Sequence, residues 1–315
     1  MKTFRAILPL SLFMLASCAP AKAIRQHQTA PPAVTLAKTA TSPVIAPPAQ
    51  VEPVAAQTVT NFESMGAAIK HIFASEQNIQ VIAFGEIHKS KASNLTPTLD
   101  HFAHEVPPVL ADNNILDVVW EHIFSGKATQ EEIAAFNKIQ KLGPVLSQWL
   151  AYHPDYCGVI EMLRQADALG ISLHGCRASD QEEYLGHLAN PGTLIQKQAL
   201  AAILGLLGQG KQVAVYTGAI HNDIEPLAGE GLKSFGQALR SKLGSGYVEV
   251  DIYLPELIPN VDAAYLKLDN WEALAPEKGV NLVNLHNGRY VLILPRFSEP
   301  VVFEIPDKAP VCPVD

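Results

Sequence analysis

Apolar positions along this chain follow two periods in alternation: spacings of three to four residues, and short unbroken runs. Phe62, Met65, Ile69, Ile72 and Phe73 recur at helical spacing, with Asn61 or Thr60 placed to cap that helix. The run Val81-Ile82-Ala83-Phe84 then reads as a buried strand closing on Gly85-Glu86-Ile87-His88. Thr96-Pro97 predicts the cap and first turn of a helix carrying Leu99, Phe102 and Val106. Ile115 to Trp120 predicts the next strand, ending at Glu121-His122, and Thr129-x-x-Glu132 has the form of a capping box before Ile133 and Phe136. A helix over 156–169 should stop at Gly170, because a left-handed C-terminal residue favours glycine. Further strands are predicted over 171–174, 213–216 and 247–254, with helices near 193–207 and 231–243 between them. Leu282 to Leu285 and Tyr290 to Leu294 flank His286-Asn287-Gly288-Arg289, a hairpin signal.

Strand–helix alternation with short apolar strands predicts an α/β fold: a single domain with a mostly parallel sheet flanked by helices and a C-terminal antiparallel hairpin. No internal repeat of fixed period occurs. The composition agrees, since 48% of the 315 residues are hydrophobic and 17% charged, too apolar for a chain disordered throughout. A net charge of −8 without a dense basic run argues against nucleic acid as a partner.

The N-terminus changes the picture. Lys2 and Arg5 precede the apolar run 6–16, a secretory arrangement too short to span a bilayer stably. The run closes on Leu15-Ala16-Ser17-Cys18, which resembles the lipobox of bacterial lipoproteins, so residues 1–17 are expected to be a signal peptide and Cys18 the lipidated N-terminus. Ala19 after the cysteine points, by the sorting convention of such lipoproteins, to an outer-membrane anchor facing the periplasm. Residues 18–59 carry Pro20, Pro31, Pro32, Pro43, Pro47, Pro48 and Pro53 and no aromatic residue, the composition of an extended tether of roughly 3 Å per residue. The folded domain is then expected over 60–315. With Cys18 lipidated, Cys157, Cys176 and Cys312 remain; either Cys157 pairs with Cys176 or all three are free thiols.

Ligands of open α/β sheets bind at the carboxyl ends of the strands. Those ends carry Glu86 and His88, Glu121 and His122, His174 and Arg177, His221, and Asp251. Imidazoles and carboxylates on one rim suit a divalent metal or acid–base chemistry. Glu86, His88, Glu121 and His221 are the stronger candidates; His122, His174, Arg177 and Asp251 are weaker, because a buried histidine is usually just hydrogen-bonded. The chain lacks Gly-x-Ser-x-Gly, a Gly-x-x-x-x-Gly-Lys-Ser/Thr loop and a helical His-Glu-x-x-His, which disfavours that serine-hydrolase fold, P-loop nucleotide binding and zinc-protease chemistry.

Two Gly-x-x-His motifs, Gly85-Glu86-Ile87-His88 and Gly218-Ala219-Ile220-His221, each directly after a buried strand, resemble those of the erythromycin esterase, Tiki and ChaN-like superfamily. Val118-Val119-Trp120-Glu121 resembles the strand-terminal glutamate of that group, and the likeness spans about residues 62–255. The resemblance implies an α/β sheet with its site at the strand ends. It makes Glu86, His88, Glu121 and His221 catalytic, with His88, Glu121 and His221 holding a divalent metal for hydrolysis of a small-molecule or peptide substrate. The ChaN branch implies instead a haem-binding, non-enzymatic lipoprotein, with His88, His221 or Tyr216 as axial ligand. This chain departs from ChaN-like members at Lys89-Ser90-Lys91, where they usually carry an Asp directly after the histidine. Membrane contact is expected through the lipid anchor alone, and a homodimer is left open.

Overall fold

Among the described residues, eight strands form one sheet in the order β1-β7-β8-β6-β2-β5-β3-β4. In chain order these are β1 (Thr58–Phe62), β2 (Val81–Glu86), β3 (Asp117–Trp120), β4 (Ser172–Gly175), β5 (Val213–Gly218), β6 (Tyr247–Tyr253), β7 (Val280–Asn284) and β8 (Arg289–Ile293). The computed structural model describes residues 57–87, 95–139, 141–150, 155–187, 190–226, 234–258, 266–268 and 270–298. Pairing is parallel from β4 through β3, β5, β2 and β6 to β8, while β7 is antiparallel to both β8 and β1. The predicted mostly parallel sheet and C-terminal hairpin are both present. In the hairpin, His286, Asn287 and Gly288 all take positive φ, at 67°, 53° and 70°.

The helices are α1 (Met65–Ser75), α2 (Thr98–Glu105), α3 (Pro107–Asp112), α4 (Lys127–Ile139), α5 (Pro144–Leu150), α6 (Tyr156–Leu169), α7 (Gln181–Gly186), α8 (Pro191–Leu207) and α9 (Gly236–Leu243). None of the described helices is long and apolar enough to cross a membrane.

The unbroken apolar runs follow from burial on both sheet faces. Successive strand residues alternate between faces. Ile82, Phe84, Val118, Trp120, Ala214 and Tyr216 therefore pack with Met65, Ile69, Leu99, Phe102, Val159 and Leu163 from α1, α2 and α6. Val81, Ala83, Val119, Val213 and Val215 pack with Ile195, Ala199, Ile203 and Leu239 from α8 and α9. Truncating a fully buried leucine such as Leu99 to alanine costs about 2–5 kcal/mol.

Several local expectations are corrected. Phe62 belongs to β1 rather than to the first helix, which opens at Met65 behind Ser64; the Ser64 side chain accepts from Ala67 N–H. A lone strand adding to the sheet edge beside β7 left no run of apolar residues to mark it, since four of its five residues are exposed. Thr96 does not cap α2, which starts at Thr98 behind Pro97, and Pro107 then divides the predicted segment into α2 and α3. The Thr129–Glu132 box fails because α4 already begins at Lys127. Glu132 instead accepts from Val145 and Leu146 N–H at 2.8 Å each, closing the N-terminus of α5. The predicted glycine stop is present: Gly170 ends α6 with φ 69°. Cys157 is disulfide-bonded and Cys176 is a buried free thiol, so neither the 157–176 pair nor the set of three free thiols holds.

The described residues fall in one compact unit, 55–315. The signal peptide, the Cys18 lipidation site and the tether up to residue 56 lie outside the described residues, as do Cys312 and His88.

Candidate functional site at the carboxyl ends of the central strands

The connection from β3 leads outward to β4, whereas that from β5 crosses β2 to reach β6. Neighbouring strands that feed chains in opposite directions open a crevice at their carboxyl ends. Glu86, Glu121, His122, Tyr216 and His221 all sit there, with relative exposures of at most 5%.

Strand alternation divides these groups between the two faces. Phe84 and Glu86 point to one side, and register places Phe84 beside Tyr216 and Glu86 beside Gly218. Tyr216 donates its hydroxyl to Glu86 Oε2 at 2.5 Å. His122, two residues after Trp120, shares that face: its ring lies 5.6 Å from the Trp120 ring and 5.8 Å from the Tyr216 ring. His122 Nε2 lies 3.3 Å from Glu86 Oε1 and 3.4 Å from Asp155 Oδ2. One buried imidazole nitrogen thus faces two buried carboxylates, and the three ligand atoms lie within 4.8 Å of one another. Burial opposes charge on His122, but the hydrogen bonds from Asp155 and Glu86 and their negative charge outweigh it, so its pKa is raised. Tyr216 is held well above the usual phenol range, by burial first and then by the Glu86 charge.

Glu121 turns the other way, towards Cys176, whose thiol is pushed up by burial and by the Glu121 charge. Its Oε2 accepts from Gly218 N–H at 2.8 Å, and its Oε1 lies 3.5 Å from Arg177 Nη2. Arg177 also donates to the Glu121 carbonyl at 3.2 Å and stacks over Tyr184 at 5.0 Å. His221 Nε2 is 3.9 Å from Glu121 Oε2. Of the expected metal set, Glu121 and His221 thus come together, but the Glu121 carboxylate is already engaged by a guanidinium and a backbone N–H; His88 lies outside the described residues. Tyr216, expected as a haem ligand, gives its hydroxyl to Glu86 from a fully buried position.

His174 does not join the rim. Its Nε2 meets Asp117 Oδ1 at 2.8 Å, which Lys211 also contacts at 2.9 Å, and both partners lie at the starting ends of β3 and β5. Asp251 belongs to a neighbouring buried network. There Asn222 Nδ2 donates to Asp251 Oδ1 at 3.0 Å, Ile224 N–H donates to Glu249 at 2.7 Å, and Lys267 pairs with Asp223. Gly85 is glycine for lack of space against this network: an added Cβ would fall 2.6 Å from both Asn222 Oδ1 and Asp251 Oδ1.

The residue missed in the sequence is Asp155. It precedes α6 in a cap position, but its side chain makes no cap bond. An acid just before a helix is so commonly a cap that nothing local marked it for another task. His122 and Glu121 are adjacent in the chain, and only the choice of face separates their surroundings.

No family model matches the chain, and no curated protein matches it. Among solved structures it is similar to the type III effector HopBA1, at 12% identity over 78% of this chain and 99% of that one, with a TM-score of 0.43. It is also similar to ChaN of Campylobacter jejuni, described with cofacial haem binding, at 14% identity over 71% and 91%, with a TM-score of 0.38. The third is RRSP, a MARTX toxin effector domain from Vibrio vulnificus CMCP6, at 14% identity over 60% of this chain and 35% of that one, with a TM-score of 0.39. The chain therefore spans about a third of the RRSP structure it matches. Overlaps this loose carry no activity from one protein to the other.

Proposed function

We propose that this protein is a metal-assisted hydrolase whose divalent ion is held by Glu86, His122 and Asp155. The observation that carries the reading is the meeting of one buried imidazole nitrogen with two buried carboxylate oxygens at 3.3 and 3.4 Å. Isolated buried carboxylates are costly, and such a pair needs positive charge between its members. A nitrogen and two carboxylate oxygens are a donor set suited to zinc or manganese. Such an ion supplies Lewis acidity and makes a nearby water more acidic.

The chain's own groups do the rest. Tyr216 occupies Glu86 Oε2 and so leaves Oε1 to face His122. Trp120 and Tyr216 flank the imidazole and shield it from bulk water, which strengthens its electrostatic contacts. His221 and Glu121, 3.9 Å apart, lie on the other face and are assigned no step at the ion. Arg177 and Gly218 N–H hold Glu121 in place.

The substrate class assigned is an ester or amide of a small molecule or peptide. Titrating the metal-stripped mature chain with zinc or manganese should show one ion bound per chain and hydrolysis of an ester or peptide panel restored with it. A chain that binds neither ion but develops a Soret band with haemin would replace this reading with the haem-binding one. The protein is further assigned to the outer membrane by a lipid on Cys18, on the strength of Leu15-Ala16-Ser17-Cys18. Cys18→Ser should release it from the membrane fraction, and an unmodified mature N-terminus beyond residue 18 would refute the anchor.

A further inference from the structure

Gly85 stands in register between Thr217 of β5 and Asp251 of β6, and partners in a parallel ladder present their side chains to one face. Thr217, Asn222 and Asp251 are all 0% exposed. Among the described residues, Thr217 Oγ1, Asn222 Oδ1 and Asp251 Oδ2 have no hydrogen-bond partner, a costly state for buried polar atoms. Asn222 is not free to turn its oxygen elsewhere. Its Nδ2 donates to Asp251 Oδ1 at 3.0 Å and to the Ala83 carbonyl at 3.4 Å. Its own carbonyl accepts from the Tyr247 hydroxyl at 2.6 Å, and a Cβ on Gly236 would fall 2.0 Å from that carbonyl oxygen. Asn222 Oδ1 therefore stays beside Asp251: a Cβ on Gly85 would lie 2.6 Å from Asn222 Oδ1 and from Asp251 Oδ1 alike. The charges are also uneven. Asp223, Glu249 and Asp251 face only Lys267 and Arg289, and Arg289 is shared with exposed Glu225.

From this arrangement we infer that Thr217, Asn222 and Asp251 form a binding site for a monovalent alkali cation. The donors are a carboxylate, an amide oxygen and a hydroxyl, all hard oxygen ligands carrying one negative charge between them. Calcium draws on about 6–8 oxygens, several of them carboxylates, so a set this sparing in charge suits sodium or potassium. One added positive charge balances the three acids against the two basic side chains. It also gives a partner to oxygens that have none. Bound there, the ion ties the loop that carries Asn222, and His221 beside it, to β5 and β6. The site lies on the opposite face of the sheet from Glu86, His122 and Asp155, and it stands whether or not that cluster holds a metal.

The test compares melting of the mature chain in sodium, potassium, calcium and choline chlorides, at one ionic strength and one mildly alkaline pH. A ligand that binds only the folded chain raises its melting temperature, whereas choline is too large for the site. Saturating sodium or potassium should add about 3 °C over choline. Broadening of the sodium nuclear resonance by the protein measures occupancy directly. Thr217→Val keeps the shape, removes Oγ1 and should weaken the ion about tenfold, as loss of one contact to a charge does. Asp251→Asn should abolish both the melting shift and the broadening while still folding in choline, because it removes a buried charge. Equal melting in all four salts without broadening would overturn the inference and leave a proton to neutralise Asp251. A sodium response that persists unchanged in Asp251→Asn, or a response to calcium that sodium and potassium lack, would overturn it too. Should Asp251→Asn fail to fold, the sodium titration of Thr217→Val decides, since an affinity equal to the parent's refutes the site.

Discussion

The two faces of the central rim handle buried acids in opposite ways. On the face of α2 and α6, Glu86 and Asp155 meet an imidazole, a cation only when protonated, and a phenol that donates to Glu86. On the face of α9, Asp223, Glu249 and Asp251 meet Lys267 and Arg289, whose charges are permanent. That second network is also tied to backbone: Ile224 N–H binds Glu249, Glu225 N–H binds Asp223, and Tyr247 donates to the Asn222 carbonyl at 2.6 Å. It clamps the loop that carries His221 onto β6. The difference separates a cluster whose acids meet an imidazole and a phenol from one whose acids meet lysine, arginine and loop backbone. Burial still exceeds compensation in the second: it raises Glu249 and Asp251, with their mutual repulsion adding to Glu249.

The largest expected effect tests the first face. His122→Ala should weaken zinc or manganese binding by more than about a hundredfold, beyond the ~10–100-fold effect of outer partners. Calorimetric titration measures it, and unchanged affinity would dissolve the distinction between the faces. Next comes Lys267→Met, which leaves Asp223 buried without its cation. It should cost about 3–5 kcal/mol of stability, seen as a fall in melting temperature, while metal affinity in the folded protein stays as it was.

A pH series sharpens the contrast. Folding raises the Glu249 pKa from 4.5 to about 8, so the folded chain binds that proton more tightly than the unfolded chain. The associated stability is complete below 4.5 and is lost as pH rises through about 8. Melting temperature should therefore decline over that window, and Glu249→Gln should flatten the decline; an unchanged slope would remove Glu249 from the account. Gly85→Ala is expected to cost about 1–3 kcal/mol by crowding Asn222 and Asp251, measured by denaturant unfolding. The smallest effect is at exposed Leu185, where Ser should stay within about 0.5 kcal/mol of the parent.

Periodicity alone determined the α/β class, because unbroken apolar runs such as Val81–Phe84 and Val213–Tyr216 can be satisfied only by burial on both faces of a parallel sheet. It also placed Glu86, Glu121 and His221 at one edge, since parallel strands deliver their carboxyl ends together. It missed β1, which is largely exposed and has no apolar run, and it misread Glu132, whose partner helix lies across a loop. The grouping of Glu86, His122 and Asp155 was decided only in three dimensions. Glu121 and His122 are neighbours in the chain, yet one side chain meets Arg177 and the other meets Glu86, because successive residues leaving a strand point to opposite faces. Asp155 enters the cluster from a helix start 33 residues after His122, a distance across which residue spacing carries no information and only the packing of α6 against the sheet does.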